Sequence, residues 1–429
     1  MADTFDVVVI GAGPAGYVAA IRCAQLGLKT ACVDDWLGKD QKPSPGGTCL
    51  NVGCIPSKAL IESSELYEAT REHYADHGIK AGNVELDLKT MLARKDKVVR
   101  ELTSGVSALF QANRIHFFPG RGRLLANRQV EIREHGKDQP QVVEAAHVIL
   151  AAGSVPTELD TVPFDDKSIV DSTGALEFDK VPKKLGVIGA GAIALELGSV
   201  WRRLGSQVTM FKSRPGLLPA ADHDIAKQAE HFFHQQGLDL QMGVKIKGAE
   251  VKNRKVHLSL SDDQGERTET FDKLIVAIGR RPNLDNLLAD DSGITLDERG
   301  FIQVDDQCRT AVDNVYAIGD CVRGPMLAHK GSEEGIMAAE LIAGHHAEVN
   351  LATVPAVIYT HPEIAWVGQT EQEVKDAGIP YRVGRFPFSA NGRARAKGDT
   401  DGIIKVIAHE KTDRILGVHM IGPQASELI

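Results

Sequence analysis

Cys49 and Cys54 stand in the segment Gly46-Gly47-Thr48-Cys49-Leu50-Asn51-Val52-Gly53-Cys54-Ile55-Pro56-Ser57-Lys58, with four residues between the two sulfurs. The segment is expected to open a helix that runs on through Ala59, Leu60 and Ile61. On a helical turn this spacing lets the two side chains meet. A thiolate near a helix N-terminus is stabilised by the dipole and by backbone amides, which makes it a good redox partner. Zinc does not suit the pattern, because its two-residue cysteine spacing is absent and no His or second cysteine pair lies nearby. Two buried, inert thiols are the other reading.

The elements that must position this segment are duplicated along the chain. Asp6-Val7-Val8-Val9-Ile10-Gly11-Ala12-Gly13-Pro14-Ala15-Gly16 reads as strand, tight turn and helix start, and Leu185-Gly186-Val187-Ile188-Gly189-Ala190-Gly191-Ala192-Ile193-Ala194 repeats it. Gly27 follows Gly11, and Gly205 follows Gly189, by the same 16 positions, each after a leucine that closes an amphipathic stretch. A second strand follows in each copy, Thr30 to Val33 and Gln207 to Phe211, ending 23 positions after the first glycine at Asp34 and Lys212. These are two βαβ units. In such a unit the first glycine permits the turn, the second lets backbone approach a pyrophosphate, and the helix N-terminus supplies N–H donors. Two copies in matched register make a bound dinucleotide the expectation for each. The apolar strands Val148 to Gly153 and Leu274 to Gly279 return the chain to each sheet, with Gly153 and Gly279 turning beside the dinucleotides. Leu86 to Asn113 reads as a helix whose Lys and Arg residues form a solvated face.

At 429 residues the chain exceeds what one core serves, so two or three domains are expected. The net charge of −9, with Lys and Arg scattered, gives no footprint for nucleic acid or an acidic membrane. No run approaches the roughly 20 apolar residues of a membrane helix, and Met1 to Ile10 lacks the basic start and cleavage site of a secretion signal. A soluble, cytoplasmic protein is expected. Six cysteines in so long a chain make no disulfide scaffold, so a disulfide here is expected to be catalytic.

The segment GGTCLNVGCIPSK, from Gly46 to Lys58, resembles the redox-active motif of the dihydrolipoamide dehydrogenase family. The resemblance extends through VIGAGPAGYVAA at the start, YAIGDCVRGPMLAHKGSEEG from Tyr316 to Gly335, and PAVIYTHPEIAWVG from Pro355 to Gly368. It implies an FAD flavoenzyme in which Cys49 and Cys54 form a redox disulfide. Cys49 would exchange with the substrate and Cys54 would lie against the flavin. It places Lys58 by the flavin with Glu196 as its partner. Gly11, Gly13, Gly16, Asp34, Thr48, Gly122, Gly153, Asp320 and Ala328 are implied to hold FAD. Gly189, Gly191, Val244 and Gly279 are implied to hold NAD or NADP, and Ala194, Lys212, Ser213 and Arg214 are expected to join them where this chain departs from the family. Asp34 stands where the family usually has Glu, and would accept from the adenosine hydroxyls. No metal is expected.

Two departures bear on this reading. The family carries Glu at the end of the second strand of the nicotinamide unit, whereas this chain has Lys212, followed by Ser213 and Arg214. Cations there suit the 2′-phosphate of NADP, and Ala194 in place of the third glycine resembles NADP-using glutathione reductases. Second, the chain ends at Ser426-Glu427-Leu428-Ile429, before the family's closing His-Pro and Glu segment, so either the protein continues past Ile429 or it lacks that acid and base. His361 matches a different family motif and is not assigned that role.

The expected fold is α/β, with two Rossmann-like dinucleotide-binding domains and a C-terminal α+β dimer-interface domain. The expected division is FAD-binding at 1–150, NAD(P)-binding at 151–278, the second FAD-binding part at 279–350, and a truncated interface domain at 351–429. The resemblance implies a homodimer that serves lipoyl-bearing proteins of a 2-oxo acid dehydrogenase complex. Reduction of another small disulfide, and a flavin-binding structural subunit, are the alternatives.

Overall fold

The computed structural model describes residues 4–429, which divide into two compact units. The first contains the residues up to Pro56, Asp96–Val155 and Arg280–Leu351; the second contains Ser57–Lys95, Pro156–Gly279 and Ala352–Ile429.

In the first unit the run Val7-Val8-Val9-Ile10 is buried throughout and forms the middle of a parallel sheet, as expected of a strand covered on both faces. The parallel strands lie side by side as His116–Leu124, Thr30–Asp34, Thr4–Ile10, Gln141–Leu150 and Val315–Ala317. Gln129–Glu134 runs antiparallel to both His116–Leu124 and the start of Gln141–Leu150. Helix Pro14–Gln25 starts with proline in its first turn, where the missing N–H costs nothing, and stops before Gly27 in the left-handed region (φ +86°). Helix Ala328–Ile342 packs on it through small residues: a Cβ on Gly335 would come within 2.6 Å of Ala15 O.

The second unit repeats the scheme. Its parallel strands lie as Leu238–Met242, Gln207–Lys212, Lys184–Ile188, Lys273–Val276 and Ile169–Val170; the first four repeat the order of the first unit, whereas the edge strand Ile169–Val170 precedes the βαβ unit in sequence and Val315–Ala317 follows its own. Lys245–Lys252, Lys255–Asp262 and Gly265–Phe271 form an antiparallel meander comparable to that of the first unit. Residues 352–429 add a separate antiparallel sheet ordered Ala356–Ile358, Glu363–Gly368, Ile415–Gly422, Ile403–His409 and Tyr381–Pro387. Lys405, at 2% side-chain exposure, ties this sheet to helix His223–Gln235: it donates to Asp222 Oδ1 at 2.6 Å and Asp224 Oδ2 at 2.9 Å, and pairs with Glu371 at 2.6 Å. The helix expected from Leu86 to Asn113 spans Leu88–Ala112. No helix among the described residues is long and apolar enough to cross a membrane.

Candidate active site

The helix expected to carry both cysteines is interrupted. Gly47–Val52 forms one short helix, Gly53 breaks it at φ −127° and ψ −114°, and Cys54 is the first residue of a second helix, Cys54–Glu72. The break has a geometric reason, since side chains five positions apart on a continuous helix point about 140° apart. Only glycine fits there, because a Cβ would stand 2.9 Å from Thr48 O and 3.2 Å from Cys49 Cα. Asn51 braces the turn: its amide donates to the carbonyls of Ser44 and Gly47, both at 3.0 Å, and its Oδ1 accepts from Ser44 Oγ at 2.8 Å. Burial raises the pKa of the Tyr17 phenol, and the charges of Cys49 and Cys54 raise it further, which puts both sulfurs in its vicinity.

Cys49 and Cys54 flank this break, one on each helix. Both cysteines are partly exposed, unlike Cys23, Cys32, Cys308 and Cys321. Burial pushes the thiols of Cys23, Cys308 and Cys321 up to about 12, which keeps them protonated and inert.

The dithiol segment lies against the first glycine-rich turn. A Cβ on Gly47 would come within 2.6 Å of Gly13 Cα. Gly11 (φ +105°) has no room for a side chain beside Ala151 O, and a Cβ on Gly16 would meet Gly11 O at 1.9 Å. Asp34 accepts from Ala12 N at 3.1 Å through Oδ1, while its Oδ2 is cut off from solvent and has no protein partner. Burial raises this carboxyl to about 7, against the lowering effect of the Ala12 N–H. Gly122 packs on Ile10 and Val33, while Gly153 (φ +72°) has open space around its Cα.

Asp320 belongs to a chain of polar groups that the sequence did not suggest. Ser154 Oγ donates to Asp320 Oδ2 at 2.6 Å, Arg280 Nε donates to Ser154 Oγ at 2.7 Å, and Arg280 Nη2 reaches Thr48 Oγ1 at 3.5 Å. The turn Gly319–Cys321 is clamped from behind: Gly319 N donates to Glu334 Oε2 at 2.8 Å, and Gly319 O accepts from Lys330 Nζ at 2.7 Å. Lys330 and Glu334 are fully buried and paired at 3.0 Å, one turn apart on the helix that Ala328 opens. Their spacing was the available signal for this clamp; nothing comparable marked Ser154.

In the second unit, Gly189 (φ +124°) repeats the tight turn, with Ala277 O 2.2 Å from a notional Cβ, and a Cβ on Gly191 would meet open space. Ala194 is fully buried, so the helix here accommodates the methyl that Gly16 excludes in the first copy. Val244 buries its side chain in an apolar cluster and donates its N–H to Lys212 O at 3.1 Å. Gly279 (φ +140°) accepts from Thr157 N at 3.0 Å. Lys212 does not project outward as a simple cation. Its Nζ folds over the following turn and donates to the carbonyls of Arg214 (3.2 Å), Pro215 (3.3 Å) and Gly216 (2.7 Å). Ser213 and Arg214 are exposed. Lys58 and Glu196 meet as expected, Nζ to Oε2, at 2.7 Å. His361 lies beside Asp399, with Nε2 at 3.7 Å from Oδ1.

The chain is similar to known proteins along its whole length. Residues 5–335 match the family described as pyridine nucleotide-disulphide oxidoreductase, and residues 354–429 match its dimerisation domain. The chain is 49% identical to a dihydrolipoyl dehydrogenase of Cupriavidus necator, across all of this chain and 91% of that protein. It is 44% identical to a mitochondrial dihydrolipoyl dehydrogenase of Pisum sativum, again across the whole chain and 84% of the relative. Among solved structures, LpdA of Mycobacterium tuberculosis superposes with a TM-score of 0.90 at 26% identity, covering all of this chain and 91% of that one. The HOCl-induced flavoprotein disulfide reductase RclA of Escherichia coli, as a Cu(II) complex, gives 0.86 at 25% identity, covering 99% and 91%.

Proposed function

The chain belongs to the pyridine nucleotide-disulphide oxidoreductase family, and from that premise we propose that it is an FAD-dependent dihydrolipoyl dehydrogenase. It oxidises the dihydrolipoyl group and reduces a nicotinamide dinucleotide. The observation that carries this reading is the packing of the dithiol segment on the first dinucleotide turn, Gly47 against Gly13. A thiol pair held at a dinucleotide cradle can trade electrons with what the cradle binds.

The residues present fit FAD. The unpartnered Oδ2 of Asp34 is an acceptor suited to a ribose hydroxyl, and Gly11, Gly13 and Gly16 keep side chains out of the approach to the helix N-terminus. Asp320, held by Ser154 and by the Lys330–Glu334 clamp, would orient the far end of the cofactor, with Thr48, Gly122, Gly153 and Ala328 along its length. FAD, when bound, carries the electron pair between the dithiol and the nicotinamide.

Cys49, on its own short helix, would exchange with the substrate sulfur, and Cys54, at the start of the longer helix, would complete the protein disulfide. Each turnover oxidises two substrate thiols to a disulfide and reduces Cys49–Cys54 to two thiols. The same electron pair then leaves as a hydride to the nicotinamide, with one proton released. Lys58 would hold positive charge near the reacting centre, and Glu196 would hold Lys58. The family's dimerisation domain at 354–429 makes the working unit a homodimer, and the expected partner is a lipoyl-bearing protein of a 2-oxo acid dehydrogenase complex. The expected compartment is the cytoplasm, a reducing environment in which the four buried cysteines stay as thiols.

The test is anaerobic reduction of the FAD-loaded protein with dihydrolipoamide, followed by addition of the oxidised coenzyme. Stoichiometric coenzyme reduction, lost in Cys49→Ser and in Cys54→Ser, is the expected result. Turnover of other small disulfides but not lipoamide would favour a different disulfide reductase. No thiol-dependent flavin reduction at all would leave a structural subunit.

A further inference from the structure

The two βαβ units end their second strands at Asp34 and Lys212, the same interval after their first glycines. That position lies by the adenosine ribose of a bound dinucleotide, where a carboxylate accepts from the 2′-hydroxyl and a cation suits a 2′-phosphate. In the first unit the position holds a carboxylate with one oxygen unclaimed by the protein. In the second unit it holds a lysine whose three ammonium protons face three carbonyls of its own turn. Lys212 therefore shapes the turn 213–216 and leaves its charge there. The exposed guanidinium of Arg214 sits in the same turn, and neither residue has a salt-bridge partner among the described residues. Burial first, and then the charge of Arg214, hold the Lys212 ammonium below the usual lysine range.

We infer that the coenzyme preferred by the second unit carries a phosphate on its adenosine ribose, with Arg214 and Ser213 as its direct partners and Lys212 as a positioning residue. This rests on the pyridine-nucleotide reading of the second unit and adds the choice between its two coenzymes. A 2′-phosphate neutralises two adjacent positive charges that a hydroxyl leaves unpaired. A charge-assisted hydrogen bond from Arg214 alone corresponds to a preference on the order of ten- to a hundredfold.

The experiment is calorimetric titration of the FAD-loaded protein with 2′,5′-ADP and with 5′-AMP, alongside anaerobic flavin reduction by NADPH and by NADH. Binding of 2′,5′-ADP at least tenfold tighter than 5′-AMP is expected, with NADPH effective at correspondingly lower concentration. Arg214→Ala is expected to abolish most of that preference while 5′-AMP binding holds. Lys212→Met is expected to lower the ratio of the two affinities, a readout that general loosening of the fold leaves alone. Equal binding of the two fragments, or an Arg214→Ala change that weakens both alike, overturns the inference. Because binding of the fragments is read without lipoamide, a failure of the dehydrogenase reading would leave this result standing and be seen separately.

Discussion

The Lys58 ammonium lies 2.7 Å from Glu196 Oε2, while Oε1 of the same carboxylate accepts the backbone N–H of Tyr359 at 3.0 Å. The ammonium also stands 4.5 Å from the centroid of the Tyr359 ring. One buried carboxylate thus fixes a lysine on the helix that Cys54 begins and a backbone group far along the chain. Replacing it separates two effects. Glu196→Ala removes this acceptor from both donors and should cost about 1–3 kcal/mol in urea unfolding. Glu196→Gln keeps an acceptor for Tyr359 and should hold most of that stability. If Lys58 needs its partner for electron transfer, Glu196→Gln should still slow the thiol-dependent flavin reduction measured by stopped flow. Equal rates in Glu196→Gln and the parent would remove Glu196 from the mechanism.

Gly53→Ala addresses the break between the two helices. Its new methyl would press on Thr48 O and Cys49 Cα. We expect a loss of about 1–3 kcal/mol and a disturbed distance between the sulfurs. The thiol–disulfide potential of the pair, measured against glutathione buffers, should shift, whereas the solvent-facing Gly136→Ala control should not move it.

Asp34 predicts a pH dependence of cofactor affinity. Its carboxyl is raised to about 7 in the protein alone, chiefly by burial. The protonated form therefore stabilises the apoprotein: its contribution is full below the ordinary aspartate range and is lost as pH rises through about 7. A hydroxyl donor prefers the charged carboxylate, so FAD should bind more tightly at about pH 8 than at about pH 6, with proton uptake on release. Asp34→Asn should weaken FAD binding and flatten that dependence; an unchanged slope in fluorescence titrations would count against it.

Lys405 predicts how the second unit responds to acid. At Asp222 and Asp224 burial acts to raise the carboxyls, but hydrogen bonds from Lys405 and other donors hold both below the ordinary range. At Glu371 the Lys405 bond is the leading cause of the lowered value. Groups lowered in this way contribute stability above the ordinary carboxylate range, and that stability is lost as pH falls below it. Lys405→Met should destabilise the protein by about 3 kcal/mol near neutrality, since it strands a buried acid, and should shrink the acid-induced drop in the urea midpoint. A parallel downward shift at every pH would mean that the lysine serves only packing.

Much of this site was legible in the chain. The interval from Gly11 to Asp34 and its repeat from Gly189 to Lys212 announce two βαβ units, because turn, helix and strand have fixed lengths per residue. The pairing of Lys58 with Glu196 came from resemblance and agrees with the structure. Other features had no local signature. The break at Gly53 follows from how closely Thr48 O approaches, and a glycine in a helical pattern does not by itself reveal that contact. Ser154, Arg280 and Asp320 come from three separate segments, so their hydrogen-bonded chain exists only once the sheet has brought the strand ends together.

Lys212 shows the division most sharply. The sequence by itself determined that a cation, not a carboxylate, occupies the strand end, since identity and register are properties of the chain. Only the tertiary structure decided where its ammonium points, because three nearby carbonyls of the same turn compete for its protons and a flexible four-carbon side chain goes where those acceptors converge.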